Sequence, residues 1–330
     1  MAAVPKPYTI TTSLSRNEFQ LAGATLFHED WWLNAAARDK WDRVTVLRDG
    51  VIVASMPFVL RRRLALRFLT MPPYCRTLGP LLANIPAKPS DRLSDQVELL
   101  RSLLAKLPKH DRFEMILPPE SGLTLAFVAC SYMVTHTFTF TWDGTPPAEV
   151  LLQNMQQGTR RKILINSDKL HAERHMDIDR FIRMSMVEHG RYLRNQNDFE
   201  TIKDIFQACA ERKQGLVLSA VNKEGKDVAV SVLVWGRGVL YNWLAARHPE
   251  EAGPGANSFL VWEAMQVARE KGLIYDSDGV YAPHAAVFYS RFGLTPKVRP
   301  TVNLGNNWWK LAIMAKATLR PRSVDLYYRR

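Results

Sequence analysis

The chain has 330 residues, and its 44 Lys and Arg against 32 Asp and Glu give a formal net charge of +12. An apolar content of 47% indicates a folded protein with a sizeable core, and the length fits two domains or one large one. This composition excludes a disordered chain, a collagen-like fibre and a coiled coil. Three scattered cysteines exclude a disulfide scaffold and a cysteine zinc site, and the sequence has no apolar run of about 18 residues that could span a membrane. With no signal-peptide pattern at the start, these features predict a cytoplasmic protein.

The first half of the sequence predicts alternating helices and strands. Its strongest local signal is Asp49-Gly50, a dipeptide typical of two-residue β-hairpins. Proline and glycine residues between Asp143 and Pro147 break the pattern, so we predict domains of residues 1–145 and 146–330. The predicted helices cover residues 25–38, 100–107 and 123–130, and the predicted strands cover Val44–Arg48, Val51–Arg61, 113–117 and 135–141.

The second half predicts a similar α/β pattern. A glycine-containing segment, Gly253–Ser258, joins a predicted strand to a predicted helix whose apolar residues have helical spacing, and Gly272 follows that helix. The predicted helices cover residues 148–167, 179–192, 198–213, 257–271 and 284–291, and the predicted strands cover 171–175, 216–222, 227–235, 239–247, 274–278 and 297–303.

Positive charge is concentrated in short segments, which suits a polyanion, a phosphorylated cosubstrate or an anionic membrane surface. Solvated surface is the alternative, and no nucleic-acid-binding signature accompanies the charge. A further basic group lies in residues 316–330. The residues that we expect to bind a substrate or polyanion are Arg61, Arg62, Arg63, Arg160, Arg161, Lys162 and Arg291.

The turn before the helix that starts near Asn257 is a candidate anion site. A glycine-rich turn and a helix N-terminus both present free backbone N–H groups. The alternative is a plain connection in which glycine supplies a positive φ. If the turn binds a donor, Gly255→Val should weaken donor binding by blocking close approach to the backbone.

Several motifs together resemble the FemAB-like proteins of the GNAT superfamily of N-acyltransferases. In the second half they are Gly253-Pro-Gly-Ala, Gly272, Tyr275-Asp-Ser-Asp-Gly279 and Phe288-Tyr-Ser-Arg-Phe-Gly293. In the first half Met56–Arg63 and Pro72–Pro80 resemble the early part of that family, and Arg160–Asn166 resembles its inter-domain helix. The resemblance covers roughly residues 25–305, and it implies an α/β fold with mixed sheets in two tandem GNAT-like acyltransferase domains.

The resemblance also implies an activity. GNAT enzymes transfer an acyl group from acyl-CoA to an amine, with no permanently bound cofactor or metal. The turn resembles the superfamily's Q/R-x-x-G-x-G/A element, with Glu250 at its first position, and Tyr289 lies in a Tyr-x-x-x-Gly element whose Tyr protonates the departing thiolate. The donor-binding residues implied by the resemblance are Gly253, Gly255, Ala256, Asn257 and Ser258.

Asp276 and Asp278 are candidates for the group that receives the amine's proton or holds its ammonium. They alternate on one predicted strand, so both side chains should point to one face, away from Tyr275. The alternative is that Asp278-Gly279 simply makes the turn after the strand.

Other functions compete with acyl-CoA transfer. FemAB relatives use aminoacyl-tRNA to modify a peptidoglycan precursor or a small amine, and they often carry Lys where this chain has Tyr289. A non-catalytic pair of domains that binds polyanions is a further alternative. His171, Glu173 and His175 share one face of a predicted strand, but no further metal ligand can be located. There is no GxSxG element, P-loop or GxGxxG element after a strand.

Overall fold

The structure, a computed structural model, describes residues 21–304 apart from residues 22, 39, 64–65, 84–87, 89, 145–146, 190–195 and 281–282. Of residues 63, 148, 189, 196 and 197 it describes the backbone alone. Three predicted features therefore lie outside what the structure describes: the side chain of Arg63, the basic group in residues 316–330 and the end of the helix predicted over 179–192.

The chain folds into two compact units. Unit 1 comprises the described residues up to Thr137 and from Val298 onward, and unit 2 comprises Phe138–Lys297. The predicted domains of residues 1–145 and 146–330 differ from these units in two respects. The first division falls inside a strand, and the last described segment groups with the first half of the chain.

Unit 1 is built on strands that mix antiparallel and parallel pairs. The Asp49-Gly50 hairpin is confirmed: both residues have positive φ, and Arg48 pairs with Val51. Its elements are α1 (Asp30–Ala37), β1 (Asp42–Arg48), β2 (Val51–Arg63), β3 (Leu66–Thr70), β4 (Leu81–Leu82), α2 (Arg92–Ala105), β5 (Arg112–Ile116), α3 (Thr124–Ala129) and parts of β6 (Met133–Trp142) and β12 (Thr295–Leu304).

A strand that is distant in sequence completes unit 1. Thr301 of β12 pairs with Ile116 of β5, and Leu304 pairs with Phe113. This antiparallel pairing explains why the last strand groups with the first half of the chain. Val302 is buried with the leucines of α2 in the core of this unit.

Unit 2 contains the segment in which the sequence places the donor turn. Its strands follow the order β6, β11, β10, β9, β8, β7, and β10 with β11 is a parallel pair joined through a helix. Besides its parts of β6 and β12, its elements are α4 (Ala148–Asn154), α5 (Gln157–Ser167), β7 (His171–His175), α6 (Ile178–His189), α7 (Gln196–Glu211), β8 (Gly215–Val221), β9 (Asp227–Gly236), β10 (Val239–Arg247), α8 (Ala256–Glu270), β11 (Ile274–Asp276) and α9 (Pro283–Ser290).

The single helix predicted over residues 148–167 is wrong. Met155 is extended, with φ −73° and ψ 149°, and it separates α4 from α5. The Met155 side chain is buried in the core of unit 2, and the N–H of Gln156 donates to the carbonyl of Arg291 at 2.9 Å. These contacts with a distant part of the chain stabilise a break that local sequence does not signal.

Candidate active site

Strands β10 and β11 run side by side for three residue pairs and then separate. The last pair is Tyr241 with Asp276, whereas β10 continues to Arg247. Beyond Asp276 the chain follows β6 instead, since the N–H of Ser277 donates to Phe140 and the N–H of Val280 donates to Phe138. From Asn242 onward the described chain places no strand against β10 on this side, and we call the space there the β10–β11 gap.

One face of the sheet beside this gap carries Asn242 and Tyr275, and Tyr289 of α9 packs against the same face. The amide Nδ2 of Asn242 donates to the hydroxyl of Tyr275 at 3.3 Å. Tyr275 pairs with Trp142 across the sheet, so Phe140 shares its face. The ring of Tyr289 on α9 stacks on Phe140 with centroids 6.2 Å apart.

Burial changes the acidity of one of these tyrosines. Tyr275 is fully buried, and this burial, together with the nearby Tyr289, holds the pKa of its hydroxyl well above the usual range. Tyr275 therefore stays neutral and can act as a hydrogen-bond donor or acceptor but not as a base. Tyr289 is only partly buried, so it is the more accessible residue of the two.

The opposite face carries a buried carboxylate. Asp276 pairs with Thr141 and therefore shares a face with Thr139. The Thr139 hydroxyl and the N–H of Asp278, the latter at 2.7 Å, both donate to Oδ1 of Asp276. The N–H of Gly279 donates to the Thr139 hydroxyl at 3.1 Å, so these contacts fix the chain as it leaves β11.

The shared strand face that we expected for Asp276 and Asp278 is wrong. The strand ends at Asp276, and Asp278 has a φ of +65°, which turns the chain instead of extending it. The cause is the hydrogen bond from the Asp278 N–H to the Asp276 carboxylate, which closes a turn of the kind that aspartate favours. Both residues are 2% exposed.

The glycine turn, residues His248–Gly255, joins β10 to α8. Gly253 and Gly255 both have positive φ, but their surroundings differ. A Cβ on Gly253 would meet nothing within 4 Å, whereas a Cβ on Gly255 would lie 2.5 Å from Nδ2 of Asn166 and 3.1 Å from Cβ of Lys162. The structure therefore brings Lys162 of α5 beside the start of α8, and it gives Gly255 a packing role that the sequence did not indicate.

Some backbone N–H groups of the glycine turn already donate hydrogen bonds within the turn. Nδ1 of His248 accepts the N–H groups of Glu250 at 3.3 Å and Glu251 at 3.0 Å. The first N–H groups of α8 have no partner within the helix, and no side chain caps it. Ala256 and Ser258 are buried, so of these two residues only the backbone is suited to bind an anion there.

The basic residues divide between the two units. Arg61 and Arg62 lie at the end of β2, where Arg62 pairs with Arg67 of β3 in unit 1. Arg160, Arg161 and Lys162 lie on α5 in unit 2, where Arg161 and Lys162 are exposed and Arg160 is half-buried. Arg291 is exposed after α9.

The glycine of the Tyr-x-x-x-Gly element has a structural cause. Gly293 has a φ of +72°, and a Cβ there would lie 3.1 Å from the carbonyl oxygen of Asn154 at the end of α4. The carbonyl of Arg291 accepts the N–H of Gln156 in the same place. This close contact holds the end of α9, and with it Tyr289, against the α4–α5 break.

The histidines of β7 take part in ordinary polar contacts. His171 contacts Glu173 at 3.0 Å, His175 contacts the Ser219 hydroxyl at 2.9 Å, and Glu173 forms an ion pair with Arg180. Among the residues that the structure describes, no group of three or more His, Cys, Asp or Glu side chains is arranged to hold a metal ion. In the same part of the chain, no helix is long and apolar enough to cross a bilayer.

Comparison with known proteins identifies the domain around the gap. Residues 158–277, which extend from α5 to just beyond β11, match the family described as "Acetyltransferase (GNAT) domain". No curated protein matches the chain in sequence.

Solved structures have the same fold over most of the chain. The crystal structure of FemX is similar with a TM-score of 0.67 at 12% identity, over 92% of this chain and 99% of FemX. A tandem GNAT protein from the clavulanic acid biosynthesis pathway has a TM-score of 0.55 at 10% identity, over 90% of this chain and 98% of its own. A GNAT-family acetyltransferase from Colwellia psychrerythraea has a TM-score of 0.54 at 12% identity, over 90% of this chain and 100% of its own.

The family match and the fold together define the class. Residues 158–277 form a GNAT acetyltransferase domain, and the chain has the fold of FemX and of a tandem GNAT protein. The predicted α/β fold class, the resemblance and the enzyme class are therefore confirmed.

Two residues beside the gap were missed by the sequence analysis. Asn242 interrupts an otherwise apolar strand, and a polar residue in a buried run is a signal that could have found it. Thr139 is one of several threonines that alternate with other residues along β6, so the sequence does not single it out. Only the fold shows that it binds Asp276.

Proposed function

We propose that unit 2 transfers an acyl group from acyl-CoA to an amine and forms an amide. The observation that carries this proposal is the β10–β11 gap: β10 continues past it into the glycine turn, and Tyr289 stacks on Phe140, which shares the face of Tyr275. A thioester arm in the gap would place its phosphates toward the start of α8, where free N–H groups and the exposed Lys162 attract anions. In this arrangement Gly253, Gly255, Ala256, Asn257 and Ser258 contribute backbone to the donor site.

The chemistry is direct attack of a neutral amine on the thioester carbonyl. A tetrahedral intermediate forms, its oxyanion needs a hydrogen-bond donor, and the sulfur must leave as a thiol. Tyr289 is the proposed acid that gives its proton to the sulfur. A free thiol has a pKa of roughly 8.5, so the leaving thiolate is basic enough to take a proton from a phenol within reach.

The two faces of the sheet suit the two partners of this reaction. Tyr289 lies on the face of Tyr275, so the leaving sulfur is expected on that side. The amine then attacks from the face of Asp276, on the opposite side of the acyl carbon. Asp276 supplies negative charge on that face and Asp278 supplies it in the turn that follows, and we propose that they hold the incoming ammonium or receive its proton.

A FemAB-type reaction with aminoacyl-tRNA is the second candidate. It is supported by the exposed cations of α5 beside the glycine turn and by the likeness to FemX. The acceptor would be the amine of a peptidoglycan precursor or of a small natural product. Contact of the basic residues with an anionic membrane surface, or polyanion binding without catalysis, would draw on the same charge.

A cytoplasmic location completes the proposal. Cys75, Cys130 and Cys209 are free, and burial raises the pKa of the Cys75 thiol to about 12, so that thiol is unreactive. Acyl-CoA and aminoacyl-tRNA are also both cytoplasmic donors.

Mass spectrometry of the ligands that co-purify with the chain tests the donor. Acyl-CoA or CoA in the purified protein would support the first candidate, and tRNA would support the second. Recovery of nucleic acid or glycan with no turnover of any acyl donor, and with strongly salt-dependent binding, would favour the non-catalytic alternative.

A further inference from the structure

The side chain of Asn242 has two polar atoms, and only one of them has a hydrogen-bond partner among the described residues. Its Nδ2 donates to Tyr275, whereas its Oδ1 is buried and has no hydrogen-bond partner among the described residues. The residue is 6% exposed. A buried acceptor without a partner destabilises the folded chain, so such an atom in a native protein calls for a ligand or a water.

The position of Asn242 indicates which ligand. It is the first residue of β10 beyond the last pair with β11, so it lies where the β10–β11 gap opens. The ladder between β9 and β10 also shifts register between Asn242 and Leu244, an irregularity that re-aims side chains next to binding sites.

Asn242 also shares its face with the leaving group of the proposed reaction. It contacts Tyr275, which is on the same face as Phe140 and Tyr289. If Tyr289 protonates the leaving sulfur, the arm that carries this sulfur lies on the side of Asn242. In acyl-CoA the sulfur is two carbons from an amide N–H, a donor that matches a free carbonyl oxygen.

We propose that Oδ1 of Asn242 accepts a hydrogen bond from the amide N–H next to the thioester of the acyl donor. This inference rests on the proposed function, and it makes Asn242 a residue that selects donors with an amide arm. An aminoacyl ester of tRNA has no amide N–H at that distance from its leaving oxygen.

The test measures the binding of CoA itself, so it does not depend on turnover or on the acceptor. Asn242→Leu keeps the side-chain volume and removes the acceptor, and it should weaken CoA binding about tenfold in calorimetry. Ser219→Ala is the matched control. It removes a buried hydroxyl of β8, which contacts His175 of β7, and it should leave CoA affinity unchanged.

A CoA analogue with an ester oxygen in place of that N–H separates the contact from a general effect on the fold. The wild-type chain should bind this analogue about tenfold more weakly than CoA, and Asn242→Leu should bind both equally. Equal CoA affinity of wild type and Asn242→Leu, or the same loss for the analogue in both chains, would overturn the inference and leave the proposed function intact. No binding of CoA to the wild-type chain would overturn both.

Discussion

The turns that follow β10 and β11 both lead away from the β10–β11 gap, and they differ in what their polar groups bind. After β11, the segment Asp276–Gly279 is buried, and the Asp276 carboxylate and the N–H groups of Asp278 and Gly279 bond to Thr139 or to one another. In the glycine turn, Gly253 is exposed with open space above it, and the first N–H groups of α8 have no helical partner. The turn after β11 is thus suited to hold the shape of the gap beside the proposed amine site, and the glycine turn has backbone N–H groups left for a donor.

If this difference is correct, the largest loss of stability should come from the turn after β11. Asp276→Ala removes the acceptor of the Thr139 hydroxyl and of the Asp278 N–H in a buried place, and we expect about 3 kcal/mol less free energy of unfolding. Urea denaturation measures this loss. Asp168→Ala, at an exposed carboxylate after α5, is the control and should change stability by less than about 0.5 kcal/mol. Equal midpoints for Asp276→Ala and wild type would contradict the assignment.

The two glycines of the glycine turn should respond differently to alanine. At Gly255 a methyl group meets Asn166 and Lys162 at a φ of +118°, and we expect a loss of about 2–3 kcal/mol. At Gly253 there is open space at a φ of +46°, and the loss should be about 1 kcal/mol. Thermal and urea unfolding check the difference, and Asn166→Ala should restore part of the stability of Gly255→Ala. Equal losses at both glycines would show that Gly255 is not packed as described.

This result also changes the meaning of the Gly255→Val variant. From the sequence we expected it to weaken donor binding by blocking the backbone. Since a Cβ at Gly255 meets the amide of Asn166, the variant should act mainly by destabilising the fold. Gly255→Val is therefore a poor probe of the donor.

Charge beside the glycine turn should have the smallest effect. Lys162→Glu should lower CoA affinity about fivefold at low salt and less as salt rises, because exposed charges are screened. Lys169→Glu, at another exposed lysine just after α5, is the matched control. For an acyl-CoA donor, charge reversal at Arg61 and Arg62 should have no effect. If tRNA is the donor, reversal in either unit should weaken RNA binding and flatten its salt dependence.

Sequence reasoning succeeded where a local signal determines the structure. The Asp49-Gly50 hairpin, the strand His171–His175 and the helix after the glycine turn all carry such signals in adjacent residues. It failed where distant contacts decide. The break at Met155 depends on burial and on Arg291, and the grouping of β12 with the first half depends on its pairing with β5.

The site shows the same limit. The sequence predicts a strand that continues from Tyr275 to Asp278, and only the fold reveals that the Asp276 carboxylate closes a turn. Tyr289, which was proposed from its motif, stacks on Phe140, whereas Asn242 belongs to no motif. Its role depends on the point at which two strands separate, which the sequence does not mark.

The central claim is that Tyr289 donates the proton to the leaving thiolate, and Tyr289→Phe tests it most directly. The variant keeps the ring that stacks on Phe140 and removes only the hydroxyl. Steady-state kinetics with acyl-CoA, following thiol release over a panel of amines, should show kcat reduced more than about tenfold. The KM for the donor and the melting temperature should stay close to those of the wild type. A well-folded Tyr289→Phe enzyme with full kcat would contradict the account and leave Tyr289 a packing residue.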